Sequence, residues 1–280
     1  MPPADEQRPD EVTPTTSIDT TRPSVARCYD AMLGGKDNFA VDRALITKVL
    51  DRVPSMYEAT GDNRSWLTRV VRFLANHAGI DQFLDCGSGL PTAENTHQVA
   101  QRANRDAVVV YVDNDPTVLA HGRALLEEND HTRFTDADLT RPDDQRADPI
   151  VAKNLDFSRP IGLLLIGALH HVDDADDPHA IMRRYVERLP SGSFVAVSHF
   201  YNPGGQGELA RTASELEEFA IRGVGSGRFR SFDEITRFFD GLDVLEPGIV
   251  RLCDWWPDGP RTKSPGPGQE LVLGGLARKP

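Results

Sequence analysis

Two carboxylates are set off by what their neighbours allow them to do. Asp85 closes the apolar run Phe83-Leu84 and opens Cys86-Gly87-Ser88-Gly89. Asp113 closes a second run, Val108-Val109-Val110-Tyr111-Val112. Two strands ending in acids, joined by a glycine-rich turn and a helix, form a crevice at the carboxyl edge of a parallel sheet. Open α/β folds bind ligands there. The acids suit an amino group and the paired hydroxyls of a ribose. Gly87 and Gly89 let the backbone come close to such a ligand.

The spacing departs from a dinucleotide fingerprint, which needs Gly-x-Gly-x-x-Gly. Thr92 stands where the third glycine would be, and the acid two residues before Gly87 is foreign to that pattern. An NAD-dependent oxidoreductase is the alternative that this departure weighs against. His170 and His171 follow a third apolar run, Ile161–Gly167. A histidine there can act as a general base, or it can be a hydrogen-bonded strand-end residue, and both readings stand. As a base with an ordinary imidazole, His170 would lose its activity below about pH 6.5. His171, Asp173 and His199 could be read as a facial iron triad. A contiguous His-His pair after a parallel strand does not present three ligands on one open face, so no metal is expected. Asn63-Arg64 offers a guanidinium that could clamp a carboxylate. Asp115 precedes Pro116 and suits a helix cap. Phe200, Tyr201, Trp255 and Trp256 either line an acceptor pocket or belong to the core.

The pattern Asp85-x-Gly87-x-Gly89, with Asp113 at the next strand end, resembles class I S-adenosylmethionine (SAM) methyltransferases. More narrowly, the chain is similar to an actinobacterial family of SAM methyltransferases long catalogued as a domain of unknown function. Several blocks carry that likeness. They are Ala26-Arg27-Cys28-Tyr29-Asp30 with Leu33-Gly34-Gly35-Lys36-Asp37-Asn38-Phe39, then Phe83 to Thr92, then Tyr111 to Pro116. Ala137-Asp138-Leu139, Ala168-Leu169-His170 and Phe238 to Leu242 also match, so the resemblance covers nearly everything after about residue 22. It implies a Rossmann-like class I fold and SAM as cofactor. It also places a residue that bonds the adenine amino group after the third strand. Asp138 fills that place with Leu139, and Asp136 competes with it. The cofactor set is then Tyr29, Arg64, Asp85, Gly87, Ser88, Gly89, Asp113, Asn114, Asp138 and Leu139, with His170 as the catalytic residue. The block from Tyr29 to Phe39 is expected to close over the cofactor, with Gly34-Gly35 as a hinge. A non-catalytic SAM-binding sensor or accessory protein is the rival from another class, because these motifs bind cofactor rather than perform chemistry.

The elements that must position these residues follow from periodicity. Residues 1–22 are rich in Pro, Thr, Asp and Glu, which predicts a disordered tail. Helical spacing appears from Ser24 to Leu33, from Val41 to Val53 and from Asn63 to Ala78. These helices form an N-terminal cap over 23–78. A SAM-binding Rossmann-like domain occupies 79–280. There strand and helix alternate, the signal of a parallel sheet. Strands are expected at Gln82–Cys86, Ala107–Val112, Thr132–Thr135, Ile161–Gly167, Ser193–His199, Leu242–Val250 and Leu271–Ala277, the last one antiparallel. The expected fold is therefore α/β, a mostly parallel seven-stranded sheet. Ser231-Phe232-Asp233-Glu234 reads as a capping box.

The net charge of −12 repels phosphate backbones. It points to a small-molecule acceptor rather than nucleic acid, for O- or N-methylation. Arg222, Arg228 and Arg230 form a small basic group, either a solvated edge or a phosphate site. The three cysteines, Cys28, Cys86 and Cys253, show no Cys-x-x-Cys spacing, which argues against a disulfide framework. No apolar run is long enough to cross a bilayer, and no signal peptide is seen at the acidic N-terminus. A reducing cytoplasm and no membrane partner are expected. Nothing in the sequence sets an oligomeric state.

Overall fold

A computed structural model describes residues 18–91, 94–125, 129–260 and 263–280. Most of the expected N-terminal tail lies outside the described residues. Three helices come first: α1 (Val25–Met32), α2 (Ala40–Arg52) and α3 (Met56–Asn76). Strand and helix then alternate through β1 (Gln82–Cys86), α4 (Thr96–Ala103), β2 (Val108–Val112), α5 (Pro116–Leu125) and β3 (Thr132–Thr135). Two short helices, α6 (Pro142–Ala147) and α7 (Pro149–Asn154), precede β4 (Gly162–Ile166). After it come α8 (Pro178–Arg188), β5 (Phe194–Phe200), α9 (Glu208–Val224) and α10 (Phe232–Thr236). The chain ends with β6 (Asp243–Val244), β7 (Val250–Arg251), α11 (Pro267–Glu270) and β8 (Val272–Arg278).

The sheet runs β3-β2-β1-β4-β5-β8-β6, with β7 also paired to β8. The first five strands are mutually parallel and β8 is antiparallel to β5. The order reverses between β1 and β4, so the crevice opens at their carboxyl ends. Alternation along the strands separates two cores. Phe83, Val109, Tyr111, Leu164, Ala196 and Leu276 face one side, against Trp66, Val70, Val71 and Leu74 of α3. Leu84, Cys86, Val110, Leu163, Leu165 and Val197 face the other, against Ile181, Met182 and Tyr185 of α8. Each fully buried Val or Leu of α3 contributes about 1.5–3 kcal/mol on transfer from water. That is why α3 is fixed firmly enough on the sheet to carry site residues.

The structure departs from the sequence reading in three places. The expected strand Leu242–Val250 is two short strands, and the sheet has eight strands rather than seven. Pro247 cannot donate to a ladder, and Gly248 N instead closes a turn on the Leu245 carbonyl at 2.8 Å. Helix α3 begins at Met56 rather than Asn63. Its first turns carry Thr60 and Gly61, weak helix formers, and burial of Met56 and Ala59 holds them instead. Helices α6 and α7 are too short for a periodic signal. Each starts on a proline, and the Asp148 carboxylate caps α7 through the amides of Ile150 and Val151. Among the described residues, no helix is long and apolar enough to cross a membrane.

Candidate active site

The turn after β1 is tied to the end of β2. Gly87 N and Ser88 N both donate to the Val112 carbonyl, at 2.8 and 3.2 Å. Gly87 (φ +72°) and Gly89 (φ +66°) are left-handed, a conformation in which a Cβ is costly. At Gly87 the cost is also steric: a Cβ there would meet Ala168 Cβ at 2.7 Å. At Gly89 a Cβ would meet nothing within 4 Å, so backbone there faces open space.

Asp85 is buried, and one of its oxygens accepts the Thr96 hydroxyl at 2.6 Å, from the first residue of α4. Burial pushes its carboxyl up to about 6, opposed by the Thr96 bond and the nearby Arg64 charge. Asp113 is tied on both oxygens, accepting Gly89 N at 2.8 Å and Asp115 N at 2.9 Å. Burial raises its carboxyl too, against those backbone bonds. Asp115 accepts Thr117 N at 2.7 Å and starts α5, the capping role expected of it. Asn114 is exposed.

Arg64 lies in the third turn of α3. One guanidinium nitrogen donates to the Glu94 carbonyl. Its Nε is buried without a hydrogen-bond partner among the described residues, and so is Ser88 Oγ. Leu139 reaches the same turn, with Cδ2 3.6 Å from the place a Gly87 Cβ would take. Tyr185 holds this segment by donating to the Leu139 carbonyl at 2.9 Å. Asp138 uses Oδ1 for the Thr140 amide and hydroxyl, at 2.8 and 2.7 Å. Asp136 is exposed.

Tyr29 projects from α1 and joins a chain of hydrogen bonds. Asn63 Nδ2 donates to Tyr29 Oη at 2.9 Å, Ser198 Oγ donates to Asn63 Oδ1 at 2.6 Å, and Gly167 N donates to Ser198 Oγ at 2.8 Å. Elements α1, α3, β4 and β5 are thereby stitched at one point. His170 stands beside it, with Cε1 3.8 Å from the place a Gly167 Cβ would take. It is buried and its ring stacks on Phe200 at 3.7 Å and 15°. Its Nδ1 is buried without a partner among the described residues. Burial, then the neighbouring His171, His199 and Arg230, hold this imidazole well below its ordinary value. The inflection near pH 6.5 expected from an ordinary imidazole is therefore not to be looked for.

Several other readings are corrected. Of the Gly34-Gly35 pair, Gly34 is left-handed and open, while Gly35 is packed against Asp30. The buried Asp30 carboxylate accepts Asp37 N at 2.9 Å and Asn38 Nδ2 at 2.7 Å. A Cβ at Gly35 would sit 1.9 Å from Asp30 Oδ1, so Gly35 serves this close approach. The three arginines do not form one group: Arg222 is a solvated surface residue, Arg228 is half-buried and Arg230 is buried. Arg222 pairs with Glu218, and Arg228 with Asp173 and Glu217. Trp255 is core, packed edge-on against Trp66 at 6.1 Å. Among the described residues, no group of three or more His, Cys, Asp or Glu side chains could hold a metal ion. Sequence reasoning missed Thr96 and Ser198, and it named Arg230 only as one of a basic group. A threonine opening the helix that follows the glycine turn was the available signal for the first.

No curated protein matches the chain. A crystal structure of a protein provisionally called a methyltransferase, from Thermobifida fusca, is 41% identical, with a TM-score of 0.88 over 96% of this chain and 99% of that one. A DUF574 family protein from Streptomyces avermitilis is 36% identical, with a TM-score of 0.88 over 94% of this chain and all of the other. The model of the S-adenosyl methyltransferase family matches residues 11–280. The chain belongs to that family, and its cofactor is S-adenosylmethionine.

Proposed function

We propose that this enzyme methylates an oxygen or nitrogen of a small molecule, and that the residues at the β1, β2 and β4 ends divide the work. The observation that carries this is the buried Asp85 and half-buried Asp113 carboxylates, both pushed up by desolvation, around a left-handed glycine turn. Such a pair calls for a ligand that brings an ammonium group and hydroxyl donors. The donors left over fit the rest of that cofactor: Ser88 Oγ and Arg64 Nε lack partners, and both suit its carboxylate. Asp85 would accept the ammonium group. Asp113 would accept the ribose hydroxyls, already oriented by Gly89 N and Asp115 N. Asp138, with Oδ1 engaged by Thr140, would offer its other oxygen to the adenine amino group.

Bound SAM supplies an electrophilic methyl on a sulfonium, open to in-line displacement. The chain supplies alignment. His170 is kept neutral by its surroundings, so it can take a proton from an acceptor hydroxyl or protonated amine. Tyr29, through Asn63, closes the same region from the side of α1. A small acceptor is supported by the net charge of −12 and by the pairing of Arg222 and Arg228 with acids. The test is transfer of labelled methyl from SAM into a metabolite extract, a protein extract and total RNA. Label should enter the metabolite fraction. Label confined to protein or RNA would overturn the small-molecule reading.

A further inference from the structure

Arg230 is charged, far in sequence from the cofactor motif, and 4% exposed. Burying a guanidinium costs several kcal/mol unless its donors are met. Here they are met almost entirely by one turn. Nη1 donates to the Leu169 carbonyl at 3.3 Å and to His199 Nε2 at 2.8 Å. Nη2 donates to the Val172 carbonyl at 3.2 Å and to Asp174 Oδ1 at 2.5 Å. Leu169 and Val172 flank His170-His171. The backbone beside Arg230 adds a further tie, since Arg228 N donates to the His170 carbonyl at 2.7 Å. Phe238 lies against the guanidinium at 5.8 Å.

The bond to His199 also decides a tautomer. A guanidinium has donors and no acceptor, so His199 Nε2 must accept. Its proton then sits on Nδ1, which lies 2.7 Å from the Phe200 carbonyl. The same Phe200 carries the stacked ring of His170. By contrast His170 Nδ1 has no hydrogen-bond partner among the described residues. Its ring is oriented by its turn and by Phe200, and Arg230 holds both.

We propose that Arg230 is a positioning residue: its guanidinium clamps the 169–174 turn and, through His199 and Phe200, sets the pose of the His170 ring. A lysine cannot replace it, because one ammonium cannot reach four acceptors spread around a planar fork. For its effect on turnover, and only for that, the proposal rests on His170 being the base.

The experiment uses the full chain as Arg230→Lys, with Asp174→Ala as a milder variant at the exposed end of the clamp. Imidazole signals are followed by long-range proton–nitrogen NMR from pH 5 to 8, and S-adenosylhomocysteine is the affinity probe. In the parent protein His170 should stay neutral throughout. In Arg230→Lys its signals should shift and it should titrate within that range, while affinity for the probe stays within about twofold. In Asp174→Ala the shift should be smaller but in the same direction. His170 signals and titration unchanged in a folded Arg230→Lys would overturn the clamp. If Arg230→Lys does not fold, an unmoved His170 in Asp174→Ala overturns it. Once an acceptor is in hand, kcat should fall at least tenfold in Arg230→Lys with KM for SAM unchanged. A shifted His170 with unchanged kcat would leave the clamp standing and remove His170 as the base.

Discussion

At the ends of β1 and β2, polar groups are left wanting partners. Asp85 and Asp113 are held above the usual carboxylate range, and Ser88 Oγ and Arg64 Nε make no hydrogen bond among the described residues. At the ends of β4 and β5 nearly everything is satisfied internally. Arg230 meets four acceptors, His199 uses both nitrogens, and Asn63 and Ser198 bond each other and Gly167. His170 Nδ1 is the exception. One half of the crevice is an incomplete network, which under the proposed function a ligand would complete. The other is a complete network that holds one imbalance in place. Binding should therefore respond to changes in the first half, and turnover to changes in the second.

The largest effect should come where the two halves touch. Gly87→Val puts a branched side chain in a left-handed position against Ala168. Backbone strain and overpacking together should cost about 2–5 kcal/mol of stability, and cofactor binding with it. Gly89→Ala faces open space and should lose binding for only about 1–2 kcal/mol of stability. Thermal melts with and without S-adenosylhomocysteine separate the two. Equal melting temperatures for both variants would break the contrast.

Next in size is Asp113→Ala, which removes a carboxylate already aimed by two backbone amides. Loss of two charge-assisted bonds to the ribose should weaken S-adenosylhomocysteine by about 2–4 kcal/mol. Calorimetry showing parent-like affinity would take Asp113 out of the binding half.

His170→Ala should do the reverse. Affinity for the cofactor should hold, and turnover should fall about a hundredfold. The parent rate should show no histidine inflection near pH 6.5, because burial keeps this imidazole neutral well below that value. Turnover that survives in the variant would leave alignment as the whole of catalysis.

The smallest effect is a pH dependence of the binding half. The Asp85 carboxyl titrates near 6 in the folded protein, against about 3.9 in an unfolded chain. Between those values the folded state holds the extra proton, so Asp85 makes stability fall as pH rises from about 4 to about 6, and contributes no slope above that. An ammonium partner favours the ionised form, so S-adenosylhomocysteine affinity should rise through the same window with release of a proton. Titration calorimetry in buffers of different ionisation heat reads that proton. Its persistence in Asp85→Asn would assign it elsewhere.

The binding half was legible in the sequence because its parts are contiguous. An apolar run, an acid and two glycines within eight residues define a strand and a left-handed turn without reference to anything distant. Strand β1 and strand β3 fall at the expected residues for the same reason. Where a local signal was broken, the reading failed locally, as at Pro247 in the split sixth strand.

Whether Gly35 is a hinge or a close contact, and whether Arg230 is solvated or a buried clamp, was not written in any window of the sequence. Those roles depend on which groups meet across the fold. Asn63 and Ser198 bond at a separation of 135 residues, and Arg230 and Leu169 at 61. The sequence by itself determined the α/β alternation and the acid–glycine crevice, since both rest on short-range periodicity and backbone sterics. The tertiary structure decided the protonation and the pose of His170. Those depend on desolvation and on the long-range partners that surround a side chain once the sheet has formed.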